Sequence, residues 1–294
     1  MIPVIFGYGD SMPIASRLSG TLTADPGAFE QRRFPDDETY MRLQSNVSGR
    51  AAVVCATLDR PDPKLLPLHF LASVCRDEGA RSVGLVAPYL AYMRQDRQFH
   101  QGEAVASHYF ADLVSHSFDW LVTVDPHLHR IKDLSDLYAI PTRVVQAAPA
   151  VSAWVRTNIE KPLFVGPDEE SEQWVAAVAQ DASAPCIVLE KTRKGDRDVE
   201  VSVPEVDRWR DHTPVLVDDI ISTGRTMIQT VSHLRAAGMK PPTCIGVHAV
   251  FAGDAYEALV GAGAQRVATC NTIPHTSNTI DVLPQIAESV RAFV

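Results

Sequence analysis

Short apolar runs separated by stretches of helical period constrain this chain more than any other feature. IPVIF (2–6), AAVVCA (51–56), SVGLVA (82–87) and WLVTV (120–124) read as strands buried on both faces. PLFV (162–165), CIVLE (186–190), PVLVD (214–218) and TCIGVHAV (243–250) repeat the pattern. Between them lie amphipathic stretches, PKLLPLHFLASVCRDEG, EAVASHYFADLVSH, SEQWVAAVAQDA and TMIQTVSHLRAAG, the last ending in Gly238, a helix C-cap residue. Strands alternating with helices of this length predict an α/β fold with parallel sheets and right-handed crossovers. The pattern runs twice, with a joint near PTRVVQAAPA (141–150). It predicts two similar domains over 1–143 and 144–280, each a mainly parallel sheet flanked by helices. A closing helix over 281–294 can pack on either half. At 294 residues, each half can bury its own core.

Charge and cysteine usage narrow the functional classes. A net charge of -9 argues against a nucleic-acid partner, which would call for a basic face, but leaves small phosphorylated ligands open. No run reaches the roughly 18 apolar residues that a bilayer span needs, and MIPVIFGYGDSMP lacks the basic start of a signal peptide. The five cysteines form no CxxC pair, and four of them (Cys55, Cys75, Cys186, Cys244) sit in apolar stretches. They read as small buried hydrophobes of a reducing compartment. The expectation is a cytoplasmic protein with no membrane and no nucleic-acid partner.

In open parallel sheets, ligands sit beyond the carboxyl ends of the strands. The segment VLVDDIISTGRTM (215–227) carries the strongest chemistry there. Asp218 and Asp219 end an apolar strand, then Ser222, Thr223, Gly224, Arg225 and Thr226 form a turn before an amphipathic helix. Backbone amides of such a turn favour an anion, and the hydroxyls add uncharged donors. The two carboxylates suit sugar hydroxyls, so the pattern describes a pentose 5-phosphate site. A capped helix after two solvated aspartates accounts for the same spacing. No GxxxxGK[ST] occurs in the chain, so a nucleotide would have to bind elsewhere.

This segment resembles the phosphoribosyl pyrophosphate (PRPP) loop shared by type I phosphoribosyltransferases and PRPP synthetases. APYLAYMRQDRQFHQGEAV (87–105) is similar to the PY-x-x-Y-x-R-Q-D-R signature of the synthetases, to which the transferases have no counterpart. RRFPDDETYMRL (32–43), LVTVDPHLHRI (121–131), VGPDEESEQWV (165–175), LEKTRKGDRDVEV (189–201) and NTIPH (271–275) match further family segments in order. The short chain and the DDIISTG form resemble the archaeal-type branch. The resemblance implies two type I phosphoribosyltransferase-like domains and a ribose-phosphate diphosphokinase, a transferase that moves pyrophosphate from ATP to ribose 5-phosphate. It assigns ATP contacts to Phe34, Asp36, Glu38, Arg94, Gln95 and Asp96. Ribose 5-phosphate falls to Asp218, Asp219, Ser222, Thr223, Gly224, Arg225 and Thr226. Lys191 and Arg193 take the catalytic arm, while His127 and Asp168 contact the metal, Mg²⁺. A homo-oligomer, at least a dimer, is also implied.

Some positions depart from the commonest family pattern. Asp37 and the pair Glu169-Glu170 replace glycines, Ser222 stands where many members have aspartate, and Arg225 where a small residue is usual. His127-Leu128-His129 also matches the HxH pair of amidohydrolases, but the further ligating histidines and eight-fold repeat of that fold are not evident. A type I phosphoribosyltransferase, or a non-catalytic synthetase-like subunit, remains as an alternative. The first leaves the RQDR segment unexplained, and the second is disfavoured by retention of Arg94, His127, Lys191 and Arg193.

Overall fold

The computed structural model describes residues 1–128, 130–166, 172–193, 199–202 and 206–294. The chain divides into two compact units. The first comprises Met1–Gln146, Thr272–Pro274 and Leu283–Val294, and the second Ala147–Asn271 and His275–Val282.

In the first unit β1 (Val4–Gly7), α1 (Met12–Leu22), β2 (Asp25–Pro26), β3 (Phe29–Arg33), β4 (Thr39–Leu43), β5 (Ala51–Cys55), α2 (Asp62–Asp77), β6 (Ser82–Ala87), α3 (Ala106–Ser117), β7 (Trp120–Val124) and β8 (Thr142–Val145) follow one another. A six-stranded sheet in the order β2-β1-β5-β6-β7-β8 is parallel throughout. Every residue of β1, β5 and β7 is buried, which is why these strands appear as unbroken apolar runs. β3 and β4 form a separate antiparallel hairpin that packs on α2.

The second unit contains α4 (Ala148–Asn158), β9 (Pro162–Gly166), α5 (Glu172–Ala182), β10 (Cys186–Val188), β11 (Glu190–Arg193), β12 (Val199–Ser202), α6 (Val206–Trp209), β13 (Thr213–Ile220), α7 (Arg225–Ala236), β14 (Thr243–His248), α8 (Ala255–Gly261), β15 (Arg266–Cys270) and β16 (Asn278–Ile280). Its sheet runs β10-β9-β13-β14-β15-β16, again parallel. The two orders are the same topology: β9 answers to β1 and β13 to β5. In each, the strand order reverses beside the first strand, so the ligand crevice belongs at the carboxyl ends of β1 and β5, and of β9 and β13.

The segment read as a joint holds edge strand β8, and the second unit begins at Ala147. Gly238 ends α7 with φ +76, and the Met239 N–H returns to the Leu234 carbonyl, as a glycine C-cap does. Cys55, Cys75, Cys244 and Cys270 are buried free thiols and Cys186 is half-buried; burial pushes Cys55 and Cys244 up to about 12. No helix among the described residues is long and apolar enough to cross a membrane.

The closing helix α9 (Leu283–Arg291) packs on α1, β7 and β8 of the first unit. Just beyond it, Phe293 stacks on Trp120 with ring centroids 4.7 Å apart and planes 6° from parallel. Trp120 is in turn paired across the sheet with Gly84, where a Cβ would come within 1.9 Å of the indole. The glycine makes room for the ring that receives the chain's last turn. Gly84→Ala should therefore destabilise the protein by about 1–3 kcal/mol through overpacking. Denaturant unfolding would read this directly, and an unchanged midpoint would mean that Trp120 is not confined as described.

Candidate active site

In the second unit, β13 carries Asp218 and Asp219 at its carboxyl end, half-buried. Asp218 Oδ1 accepts the Asp219 N–H at 2.9 Å, and Asp219 Oδ1 accepts the Ile220 N–H at 2.8 Å. These bonds fix both carboxylates against their own backbone. The following turn is lashed to the segment after β14: Ile221 N–H donates to His248 O, while Ile221 O and Ser222 O accept from Phe251 and Ala252 N–H. Gly246 in β14 clears space for the buried Ile221, which a Cβ there would meet at 2.7 Å.

Gly224 then turns the chain into α7 with φ +65 and ψ 6. Nothing lies closer than 3.7 Å to a Cβ there, so the need for glycine is conformational. No side chain caps α7, and its first turn holds no acid, so the amide donors behind Gly224 are presented to an anion. Thr223, Arg225 and Thr226 are exposed and Ser222 half-buried. All seven residues predicted for ribose 5-phosphate thus lie on one strand end and one turn.

The residues predicted for ATP lie in two separate places in the first unit. Phe34, Asp36 and Glu38 occupy the exposed tip of the β3–β4 hairpin, closed by a bond from Phe34 N–H to Glu38 O of 2.8 Å. Arg32 lies over both the Phe34 ring (4.7 Å) and the Tyr40 ring (4.2 Å), a cation–π contact that ties the two aromatics together. Beside it runs a groove of about 360 Å³ lined by Phe34, Tyr40, Met41, Phe70, Val74 and Asp77 among others. Asp37 has φ +68, the left-handed region, which accounts for glycine being usual there. Aspartate is one of the few other residues that visit this region.

The second place is the loop after β6. Leu90, Ala91 and Met93 are buried beneath it, Leu58 N–H donates to Tyr89 O, and Tyr92 donates its hydroxyl to Asp62 at the start of α2. That bond pushes the Tyr92 phenol up to about 12. Arg94 and Gln95 follow, exposed, and Gln95 O accepts the Ser107 N–H. Asp96 differs from its neighbours: its side chain is 5% exposed and accepts from Arg130 Nη1 at 3.0 and 3.1 Å.

His127 lies in the loop after β7, where Asp125 (φ +31) and His127 (φ +52) both have positive φ and the His127 N–H returns to Asp125 O at 2.8 Å. Such sparsely populated backbone recurs at ligand sites. Lys191 and Arg193 lie on β11, opposite Val201 and Val199 of β12. Asp168 and the pair Glu169-Glu170 lie outside the described residues. Among the described residues, no three His, Cys, Asp or Glu side chains converge on a metal position. Sequence reasoning missed Tyr92, Asp62 and Arg130, whose partners are remote in sequence.

Two family models cover most of the chain. The N-terminal domain of ribose phosphate pyrophosphokinase matches residues 3–117, and the phosphoribosyl transferase domain matches residues 133–285. The ribose-phosphate pyrophosphokinase of Methanobrevibacter smithii is 30% identical over 98% of this chain and 100% of its own length. That of Methanothermobacter thermautotrophicus is 31% identical with the same coverage. The fold is similar to the crystal structure of phosphoribosylpyrophosphate synthetase from Mycobacterium smegmatis, with a TM-score of 0.86 and 24% identity over 99% of this chain and 98% of that one.

The left-handed backbone at Asp37 gives a direct expectation for the hairpin tip. Asp37→Gly should leave folding stability equal or higher. Asp37→Val should cost about 1–2 kcal/mol, since a β-branched residue is strained at that φ. Paired urea titrations would separate them, and equal midpoints for Gly and Val would contradict the assigned conformation.

Proposed function

The chain belongs to the ribose-phosphate pyrophosphokinase family, and we propose the following division of work among its residues. The β,γ-pyrophosphoryl group of ATP moves to the anomeric hydroxyl of ribose 5-phosphate, giving PRPP and AMP. The observation that carries the sugar-phosphate end is the uncapped start of α7 behind Gly224, with two carboxylates one strand end away. The 5-phosphate accepts from the amides and hydroxyls of Ser222 to Thr226, with Arg225 adding charge. Asp218 and Asp219 accept from the ribose hydroxyls and so orient the anomeric oxygen for attack.

At the nucleotide end, Phe34 packs on the adenine and Arg94 and Gln95 grip the polyphosphate. Asp36 and Glu38 present acceptors to nucleotide groups or to the cation. The cation is Mg²⁺, with contacts from His127 and Asp168; when bound it neutralises phosphate charge and polarises the β-phosphorus. Lys191 and Arg193 place positive charge on the oxygens that gain charge as AMP departs. The protein is proposed to act in the cytoplasm as a homodimer or larger oligomer.

Incubation with ATP, Mg²⁺ and ribose 5-phosphate should yield AMP and PRPP in strict dependence on the sugar phosphate. Formation of ADP would indicate γ-phosphoryl transfer and overturn the reading. Consumption of PRPP with a free base would point to a phosphoribosyltransferase instead.

Two substitutions separate the ends of the site. Lys191→Ala should lower kcat by about 10²–10³ with little change in ribose 5-phosphate affinity, as expected for a group acting on transition-state charge. Thr226→Val should weaken the sugar phosphate by about 1.5–3 kcal/mol, the value of a hydrogen bond to a charged partner. It should leave ATP affinity unchanged. Calorimetric titrations of each ligand would check both, and a loss of ATP binding in Thr226→Val would misplace the loop.

A further inference from the structure

We infer that Arg130 is a positioning residue for nucleotide binding, acting through Asp96 to fix the loop that presents Arg94 and Gln95. The inference rests on the reading of that loop as the nucleotide site, and goes beyond it by giving Asp96 a role that is not direct contact.

Asp96 lies in the run Arg94-Gln95-Asp96-Arg97, where both flanking arginines are exposed and only the acid is turned inward. Its side chain is 5% exposed, and a carboxylate that far from water needs a compensating partner. Arg130 supplies it, with Nη1 at 3.0 and 3.1 Å from the two oxygens, while the arginine itself stays half in solvent at 51%. The neighbouring cation Arg97 instead lies 4.7 Å from the Phe99 ring.

Arg130 stands three residues after His127, in the loop that follows β7, whereas Asp96 belongs to the loop that follows β6. The pair therefore joins two adjacent strand ends of one sheet. On its other side, the Asp96 segment is held by Tyr92 on Asp62 and by Ser107 N–H on Gln95 O. Arg94 and Gln95 sit between these anchors and the ion pair, with their side chains exposed. Without Arg130, the buried carboxylate would be left uncompensated and would turn out to water. The dipeptide immediately before it would move too. The same ion pair also ties that dipeptide to the loop carrying His127, so the polyphosphate grip and the metal contact share one support.

Arg130→Gln removes the charge while keeping a polar side chain. In the free protein, amide exchange over residues 94–105 should become several-fold faster, since the segment loses its anchor. Direct titration should show ATP·Mg²⁺ affinity falling about tenfold, as expected for misplaced ligand groups. Ribose 5-phosphate affinity should stay within twofold. Arg130→Lys should recover part of the loss, and the exchanged pair Asp96→Lys with Arg130→Glu should recover more than either single change. Unchanged exchange and unchanged ATP affinity in Arg130→Gln would overturn the inference. So would unchanged amide exchange over residues 94–105 in Asp96→Ala, because the ion pair would then not be what holds the loop. If the unmodified chain bound no ATP, the functional reading would fall, while the exchange measurement would still decide whether Arg130 holds the loop.

Discussion

A parallel strand buried on both faces must end at a turn, and the helix that follows begins with amide donors that no backbone acceptor can reach. Each unit meets that constraint at the same topological place, and the two answers differ. After β13, Gly224 takes the left-handed turn and α7 starts with no acid and no cap. After β5, the equivalent turn places Arg60 at φ +47, and α2 opens with Asp62 in its first turn. Asp62 complements the helix dipole there, and Lys64 bonds to Asp59 at 2.6 Å and to Thr57 O at 3.0 Å. An incoming phosphate would meet two carboxylates. The two helix starts thus differ in charge, and the acid of the first unit accepts from Tyr92 in the loop after β6.

What the sequence disclosed follows from where each signal is stored. Strands such as Ala51–Cys55 and Trp120–Val124 are wholly buried, so their apolar runs are local and visible. The β3–β4 hairpin was invisible as secondary structure because FEQRR and TYMRL have no fully buried position and show no apolar period. Strand β8 gives no strand signal of its own, because TRVV lies at a sheet edge and buries only Val145. The residues proposed for the sugar phosphate all lie between Asp218 and Thr226, and a local turn is legible one residue after another. The ion pair of Asp96 with Arg130 spans 34 positions, and no local pattern announces it.

The departures from the usual family residues divide in the same way. Asp37 needs no special account, because its backbone is left-handed and aspartate adopts that conformation. Arg225 begins α7 with an exposed side chain, where its charge adds to the donors of the turn. At Ser222, a half-buried hydroxyl stands on a residue whose carbonyl is already committed to Ala252. Its side chain is neutral, so the turn adds no third acid to Asp218 and Asp219.

The docking of α9 on α1, β7 and β8 has a consequence for how the molecule is made. The first unit is discontinuous in sequence: its last helix leaves the ribosome only after the whole second unit has been synthesised. Chain release order usually lets an amino-terminal domain fold first. Here the nascent first unit waits with Trp120 lacking its Phe293 partner, so its completion is tied to the arrival of the other half. A fragment cut at Gln146 would lack that cover, and dissecting the protein into independent halves would require a circularly permuted gene that joins the closing helix directly to the first unit.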